Sequence, residues 1–490
     1  MPLEVETVEL DSTYMNRAQI LPNGKIIYPS DEEITTGDLL ALVNNHRSRL
    51  ESKYWKRYKY YVGRHPILHK KKKPAYKPDN RLIINFPRKA VTSFNGFFIG
   101  TPVKIDSEDK KTDQWIAQWM NKVNLEDVNS EVSKMSSMYG HAYYFLYQSD
   151  RLDDKKQVQT MVTKLDPLHT FLIYDDSFDE RVIYGVRYRR DSKNSLLITL
   201  YDENYERHFE LSTNGLVESG KTIANPFPGV PIVEAVENEE RMALCEDVFS
   251  LVDAQNEAMS SKANDVDYFG DAYLKFINTY LQPDQTKDIK ENRIINVNGE
   301  NAGNATVEFM SKPDGDVTQE HLIDRVADYM YQIANVTNLN DQAFAGDISG
   351  VALQMKFQAM ADMARTKTLK FTKALREVMR LSMAVNSEVK NSNYADLTFK
   401  FTQSIPKNVS EEADLVTKLW GKVSTETLYK QLSFIDDPEA ELKKFKAEQA
   451  ENAALGGQMM QKAMAGEDDD HRGAKGSAAD QAGQPAQPTN

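Results

Sequence analysis

Residues 316–390 constrain the fold more than any other stretch of this chain. Asp316 with Gln319 makes a capping-box start, and Leu322, Val326, Met330 and Ile333 then recur at spacings of three or four. That is one apolar stripe along a helix. The pattern stops at 335–341, too rich in asparagine to favour helix. Ser349 opens a second run through Leu353, Phe357, Met360, Ala364, Phe371, Leu375, Val378 and Val385, with only Gly350 and no proline before Glu388. Such a helix would be roughly 60 Å long. It either crosses a large domain or builds something larger than one chain. On pattern alone a helix pair of this kind is ordinary scaffold, and the rest of the chain has to decide.

At 490 residues the chain should form about two to four structural regions. Its single cysteine, Cys245, excludes an intrachain disulfide framework and Cys-rich metal sites. That residue falls at helical spacing among Leu244, Val248 and Leu251, the setting of a buried structural thiol. No run approaches the about eighteen apolar residues of a membrane span, and the N-terminus has no signal-peptide core. These features point to assembly in the cytoplasm and to no membrane partner. The net charge of −13 is unevenly spread. Residues 44–73 carry eleven cations, Lys70 to Lys73 among them, against Glu51 alone, whereas 237–271 carry ten carboxylates against Arg241 and Lys262. Such asymmetry speaks of partners more than of fold.

In chain order, residues 1–35 read as a loosely ordered arm. A basic helix is expected from Thr36 to Val62, with Tyr54, Trp55, Tyr58, Tyr60 and Tyr61 among its cations. That mixture suits a nucleic-acid surface or simply a solvated face beside a soluble loop. Residues 80–86 read as a short strand, followed by a helix to Ile99 closed by Gly100, and 112–138 read as helical. From Ala142 to Val236 the period becomes that of strands, as in an antiparallel sheet of hairpins. A helix with strongly acidic faces is expected from Glu239 to Tyr268. A compact insert follows, with strands at 273–277, 293–297 and 306–310 and a short helix near Thr286. A strand at 397–401 and helices capped at Ser410 and Ser424 complete the folded part. The Gly-, Ala- and Gln-rich end should be disordered.

Residues 215–222, Gly-Leu-Val-Glu-Ser-Gly-Lys-Thr, fit the phosphate-loop pattern letter for letter. The chemistry needs a buried strand before the loop and a helix starting at the Lys-Thr pair. Asn214-Gly215 instead marks a hairpin turn, and Pro226, Pro228 and Pro231 follow too soon for a helix. A nucleotide hydrolase using Lys221 and Thr222 is therefore rejected. The histidines include no HExxH and no paired metal spacing, and no carboxylate pair stands out from surface charge. The residues suggest no enzyme, no cofactor and no metal.

The order of several segments resembles the portal (head–tail connector) proteins of long-tailed phages of Gram-positive bacteria. They are Tyr61-Val62-Gly63-Arg64-His65, the 80–86 run, Gly100-Thr101-Pro102-Val103, Leu165-Asp166-Pro167 with Tyr174-Asp175-Asp176, and Pro231-Ile232 leading into the acidic helix. Ser349-Gly350-Val351-Ala352-Leu353, 423–428 and Phe434-Ile435-Asp436-Asp437 continue it. The resemblance covers about 36–450. The lysine run at 70–73 and the acidic tail lie outside the pattern.

The resemblance implies a mainly helical α+β portal fold. After the arm come a β-rich wing over 36–238, a first stem helix over 239–268 and a clip over 269–315. A second stem helix over 316–337 leads to a tunnel loop over 338–348, with a long wing helix and strand over 349–408, a crown over 409–452 and a disordered tail over 453–490. It implies a homo-oligomeric ring, commonly of twelve subunits, at a capsid vertex of the virion. The ring would pass double-stranded DNA without sequence preference during packaging and ejection. Its partners would be the terminase large subunit, a head-completion adaptor, and the major capsid and scaffolding proteins. The implied stem residues are Asp253, Glu257, Asp265, Arg325 and Asp328. Asn340, Asp341, Gln342, Phe344, Gly346 and Asp347 would form the tunnel loop beside DNA. Lys287, Lys290, Glu291, Asn298 and Glu300 would be clip residues for docking. The competing reading is a DNA-binding protein using the basic segment at 44–73.

Charge adds a physical expectation. A lysine-rich channel would hold DNA through many counterion-releasing contacts, whereas an acidic or neutral wall lets it slide. The long helix carries Lys356, Arg365, Lys367, Lys370, Lys373, Arg376 and Arg380 against Asp362 and Glu377. These cations are expected mostly to pair with acidic neighbours between subunits.

Overall fold

The computed structural model describes residues 13–74, 77–152, 158–270, 274–277, 306–309, 316–338, 350–404, 409–432, 435 and 438–465. The chain divides into two compact units, 1–405 and 406–490.

The first unit mixes α and β. It opens with β1 (Thr13–Met15), β2 (Ala18–Ile20) and β3 (Ile26–Tyr28), where a loosely ordered arm was expected. Three-residue strands give almost no local periodicity; these form because β3 pairs in parallel with a strand far along the chain. Next come α1 (Thr36–Ser48), capped by Thr35, a π-helical turn over Leu50–Trp55, and α2 (Lys56–Tyr61). α3 (Phe86–Ile99), β4 (Lys104–Asp106), α4 (Lys110–Val123) and α5 (Leu125–Tyr139) follow. The helical stretch expected at 112–138 is broken by Asn124, which is left-handed at φ 50°.

The strand region holds β5 (His141–Leu152), β6 (Val158–Leu165), β7 (Thr170–Asp175), β8 (Val182–Arg190) and β9 (Leu196–Tyr201). β10 (Tyr205–Ser212), β11 (Gly215–Glu218), β12 (Ile223–Ala224) and β13 (Ile232–Val236) complete it. These do not make one sheet of hairpins. The larger sheet runs β1-β2-β3-β7-β8-β9-β10-β11 with β12 on β10, and the smaller runs β13-β5-β6. Leu172, Tyr174 and Tyr201 of the first meet Tyr143 and Ile232 of the second in a shared core. Gly185 permits the close approach, since a Cβ there would lie 2.9 Å from Ile232.

The chain continues through α6 (Phe249–Gly270), β14 (Leu274–Ile277) paired with β15 (Thr306–Phe309), and α7 (Asp316–Ile333). Then come α8 (Gly350–Ala384) and β16 (Thr398–Lys400), which pairs with β4. At 35 residues α8 is roughly 50 Å long. Its apolar stripe enters the main core: Phe371 packs edge-on against Phe98 and Tyr144, and Phe357 stacks on Phe97. α1 covers the larger sheet through Leu39, Leu42 and Val43.

Two expectations change here. Residues 80–85 are not a strand; they form no ladder with another strand. The acidic helix begins at Phe249 rather than Glu239, preceded by a short 3-10 turn over Glu246–Val248. Arg241 sits at φ 53°, a conformation no helix tolerates. The expected strand at 293–297 and the helix near Thr286 lie outside the described residues.

The second unit contains α9 (Val409–Leu419), α10 (Thr425–Tyr429) and α11 (Pro438–Ala465). Ser424 caps α10 by accepting from the Thr427 amide at 3.3 Å. α11 passes the boundary at 452 where disorder was expected, because its Ala, Glu, Gln, Lys and Met residues outweigh Gly456 and Gly457.

Candidate functional site

α6 and α7 form an antiparallel helical hairpin. Phe249 and Val252 at the start of α6 share a core with Met330 and Ala334 at the end of α7. At the other end Lys262 pairs with Glu320. Opposite charges and apolar residues thus fix both ends of the hairpin.

Along α6 lies the extended segment 80–85, bound in a way the sequence did not reveal. The amides of Asn80, Leu82 and Ile84 donate to Asn264 Oδ1 at 2.6 Å, Ser260 Oγ at 2.9 Å and Asn256 Oδ1 at 2.7 Å. Two residues of extended chain advance about 6.6 Å and four residues of helix about 6.0 Å, so the repeats match. The strap therefore runs antiparallel to the helix, satisfying its backbone on side chains rather than on another strand. Asn256 also donates to His65 Nδ1 at 2.7 Å, and His65 Nε2 then donates to the Tyr60 carbonyl at 3.0 Å. Burial lowers the pKa of this enclosed imidazole and keeps it neutral. The spacing Asn256-Ser260-Asn264 was the available signal, hidden because small polar residues on an acidic helix read as solvent-facing.

The expected stem residues separate. Asp253 is half-buried and accepts from the Tyr60 hydroxyl at 2.6 Å. Glu257 is exposed and pairs with Lys70. Asp265 is half-buried, while Arg325 and Asp328 are exposed on α7. The residues expected in the tunnel loop and those expected to dock at the clip lie outside the described residues.

Beyond its packed face, α7 shows a second apolar stripe. Leu322, Tyr329 and Ile333 are 54%, 47% and 47% exposed, at spacings that place them on one side of the helix.

The basic segment at 44–73 is less open than its composition suggests. Tyr54 is buried and bonded to His141 at 2.9 Å, and Tyr60 is buried against Phe249. Arg57 is buried too, making a two-pronged contact with Glu246 at 2.5 and 2.7 Å. Most of the aromatic content thus faces the core, which weakens a base-stacking surface.

Two buried ionic clusters hold the body together. Glu234 accepts from Arg241 at 2.9 and 2.7 Å, from His141 at 2.7 Å and from Tyr174 at 2.5 Å. Burial pushes its pKa up, but Arg241 and His141 more than offset that and hold it well below the usual range. Burial also depresses His141 to about 4 against the opposing pull of Glu234. In the second cluster Lys367 of α8 contacts Glu237 at 2.7 Å, Ser137 Oγ at 2.8 Å and the Ser133 carbonyl at 3.0 Å. Its ammonium also sits about 5 Å from the Phe94 and Phe98 rings.

The expected pairing of long-helix cations between subunits is corrected by these contacts. Lys367 pairs with Glu237, Lys370 with Glu239, Arg365 with Asp362 and Arg380 with Glu377, all inside one chain. Arg376 lies over the Phe399 ring at 5.5 Å.

The phosphate-loop look-alike is a hairpin: Gly215–Glu218 pairs with β10, and residues 223–224 are strand again. Thr222 donates to Glu218 at 2.9 Å. Among the described residues no group of three or more His, Cys, Asp or Glu could hold a metal ion, and no helix is long and apolar enough to cross a membrane. Burial raises the pKa of Cys245, a packed thiol.

A helical hairpin with a short antiparallel strand pair between its helices, beside a two-sheet body and a very long helix, defines a scaffold architecture. The chain belongs to a family of phage portal proteins: the model described as "Phage portal protein, SPP1 Gp6-like" matches residues 40–454. It is also 21% identical over 497 residues to the portal protein of Bacillus phage SPP1, covering 90% of this chain and 94% of that one.

Proposed function

We propose that copies of this chain close into a ring at one capsid vertex, through which double-stranded DNA enters during packaging and leaves on ejection. The observation that carries the ring is the exposed stripe Leu322, Tyr329 and Ile333 on a hairpin whose other apolar face is already packed. A stripe of this kind on a neighbour-facing helix gains burial only beside another molecule. Here α6 and α7 are the stem, the body with its two sheets and α8 the wing, and the second unit the crown. The segment between α6 and α7 is the clip, where the terminase motor and later a head-completion adaptor dock. The segment between α7 and α8 is the tunnel loop.

The outward side of α6 carries Ser250, Ala254 and Glu257, all exposed. Small side chains, with the carboxylate of this face paired to Lys70, fit a channel wall along which DNA slides without adhering. Twelve is the subunit number that the resemblance to portal proteins implies for this ring. Capsid and scaffolding proteins are the remaining partners of such a ring.

Electron microscopy of purified protein tests this reading. Annular particles with a central hole wide enough for a duplex are expected, and Leu322→Asp with Tyr329→Asp should leave compact monomers. A wild-type chain that stays monomeric at every concentration, with no annular particles in infected cells, would overturn it.

A further inference from the structure

We propose that the lysine run of one copy, Lys71 to Lys73, docks against Asp324 and Asp328 on α7 of the neighbouring copy. This rests on the ring reading above and adds a charged contact to it.

The run is held in a fixed frame. Lys70 pairs with Glu257 of α6 at its start. At its end Asp79 accepts from the Lys73 amide at 3.4 Å, and the strap ladder begins at Asn80. Arg81 ties the two ends together, bonding the Leu68 carbonyl at 2.8 Å and Asp79 at 2.8 Å. Lys71, Lys72 and Lys73 stand exposed on this frame. Among the described residues Lys71 and Lys72 have no carboxylate partner, and Asp79 is engaged by Arg81. Adjacent like charges repel, so the run gains from an external row of opposite sign.

α7 offers such a row. Glu320, Asp324 and Asp328 recur every four residues and share one side of the helix. Glu320 is taken by Lys262, while Asp324 and Asp328 are exposed with no cation at ion-pair distance among the described residues. Arg325 lies beside them without closing a pair among the described residues.

Within one chain the two surfaces do not pair: the strap binds the Ser260 side of α6, while α7 pairs with Lys262 on another side of that helix. A head-to-tail ring presents two different faces at every contact, and this hairpin has one basic and one acidic.

The test uses full-length protein carrying Lys71→Glu, Lys72→Glu and Lys73→Glu, with ring population measured by light scattering across protein concentration. Half-assembly should need about tenfold more protein. Adding Asp324→Lys and Asp328→Lys should restore assembly by swapping the charges. A Lys→Gln triple variant, checked by its melting temperature, serves if the reversal impairs folding, and should give a smaller shift in the same direction. Rings unaffected by both triple variants would overturn the proposal, as would reversal without rescue by the swap. Intact rings that instead lose retention of duplex DNA would assign the run to nucleic acid and also overturn it. Wild-type protein that never forms rings would sink the ring reading itself, before any variant is compared.

Discussion

The body and the hairpin of this chain treat charge in opposite ways. In the body, Glu234, Arg241, Glu237 and Lys367 are buried and each charge is met by a partner within the same chain. On the hairpin, Asp324, Arg325 and Asp328 stand exposed, and α7 also carries an apolar stripe that is about half exposed. The body is finished as a single copy, whereas the hairpin is organised on one side and open on the other. A buried ion pair tolerates no loss of one member, because the remaining charge has nowhere to go. Exposed charges are individually weak and gain value only as a matched set across an interface. The contrast separates what keeps a copy folded from what lets copies recognise one another.

The sharpest way to break that comparison is Glu237→Ala, which strands the Lys367 ammonium in the core. Unfolding free energy should drop by about 3–5 kcal/mol in urea melts, and a smaller loss would mean the body depends less on internal pairing. Replacing both members, Lys367→Met with Glu237→Gln, should recover much of it.

Acid should produce the next largest effect. Burial holds His46 at about 3 and His141 at about 4, both below the ordinary 6.5. The unfolded chain therefore binds protons first as pH falls below 6.5, and stability declines through about 4 and on toward 3. The loss should be on the order of a few kcal/mol by pH 4, read from melts at stepped pH. His46→Gln should flatten that slope. The His46 imidazole is exposed to this penalty by its geometry. Tyr188 spends its proton on the Leu168 carbonyl at 2.9 Å, so His46 Nδ1 donates to it and Nε2 has no partner in the core among the described residues.

The strap offers an intermediate test. Asn256→Ala removes the acceptor for the Ile84 amide and the donor to His65, and should cost about 1–3 kcal/mol. Faster hydrogen exchange at Ile84 would place the loss at the strap, while unchanged exchange would show that another group bonds that amide.

Smallest of all, Leu322→Ser should change single-copy stability by less than about 0.5 kcal/mol. Its effect belongs to assembly. A large drop in monomer stability would mean the stripe is already buried within the chain and would erase the contrast.

Much of the architecture was legible from local pattern. Asp316 marks the start of α7, the apolar run after Gly350 becomes α8, and the prolines after residue 225 identify the phosphate-loop look-alike as a hairpin. Elsewhere local pattern misled. Residues 80–86 have the composition of a strand, yet their partner is a helix surface 170 to 190 residues away. The run 239–245 has the composition of a helix, but Arg241 bends back to Glu234 and forbids one. The cations of α8 looked destined for other subunits because their carboxylates, Glu237 and Glu239, are some 130 residues distant.

Periodicity and capping depend on residues within a turn or two of each other, so the chain alone determined its long helices, most of its strands and its unequal charge. Which carboxylate meets which cation, and which extended segment meets a helix instead of a strand, depends on distant residues brought together by packing. Those choices were made only by the tertiary structure, because the energy of a buried polar group is set by its neighbours in space and not by its neighbours in sequence.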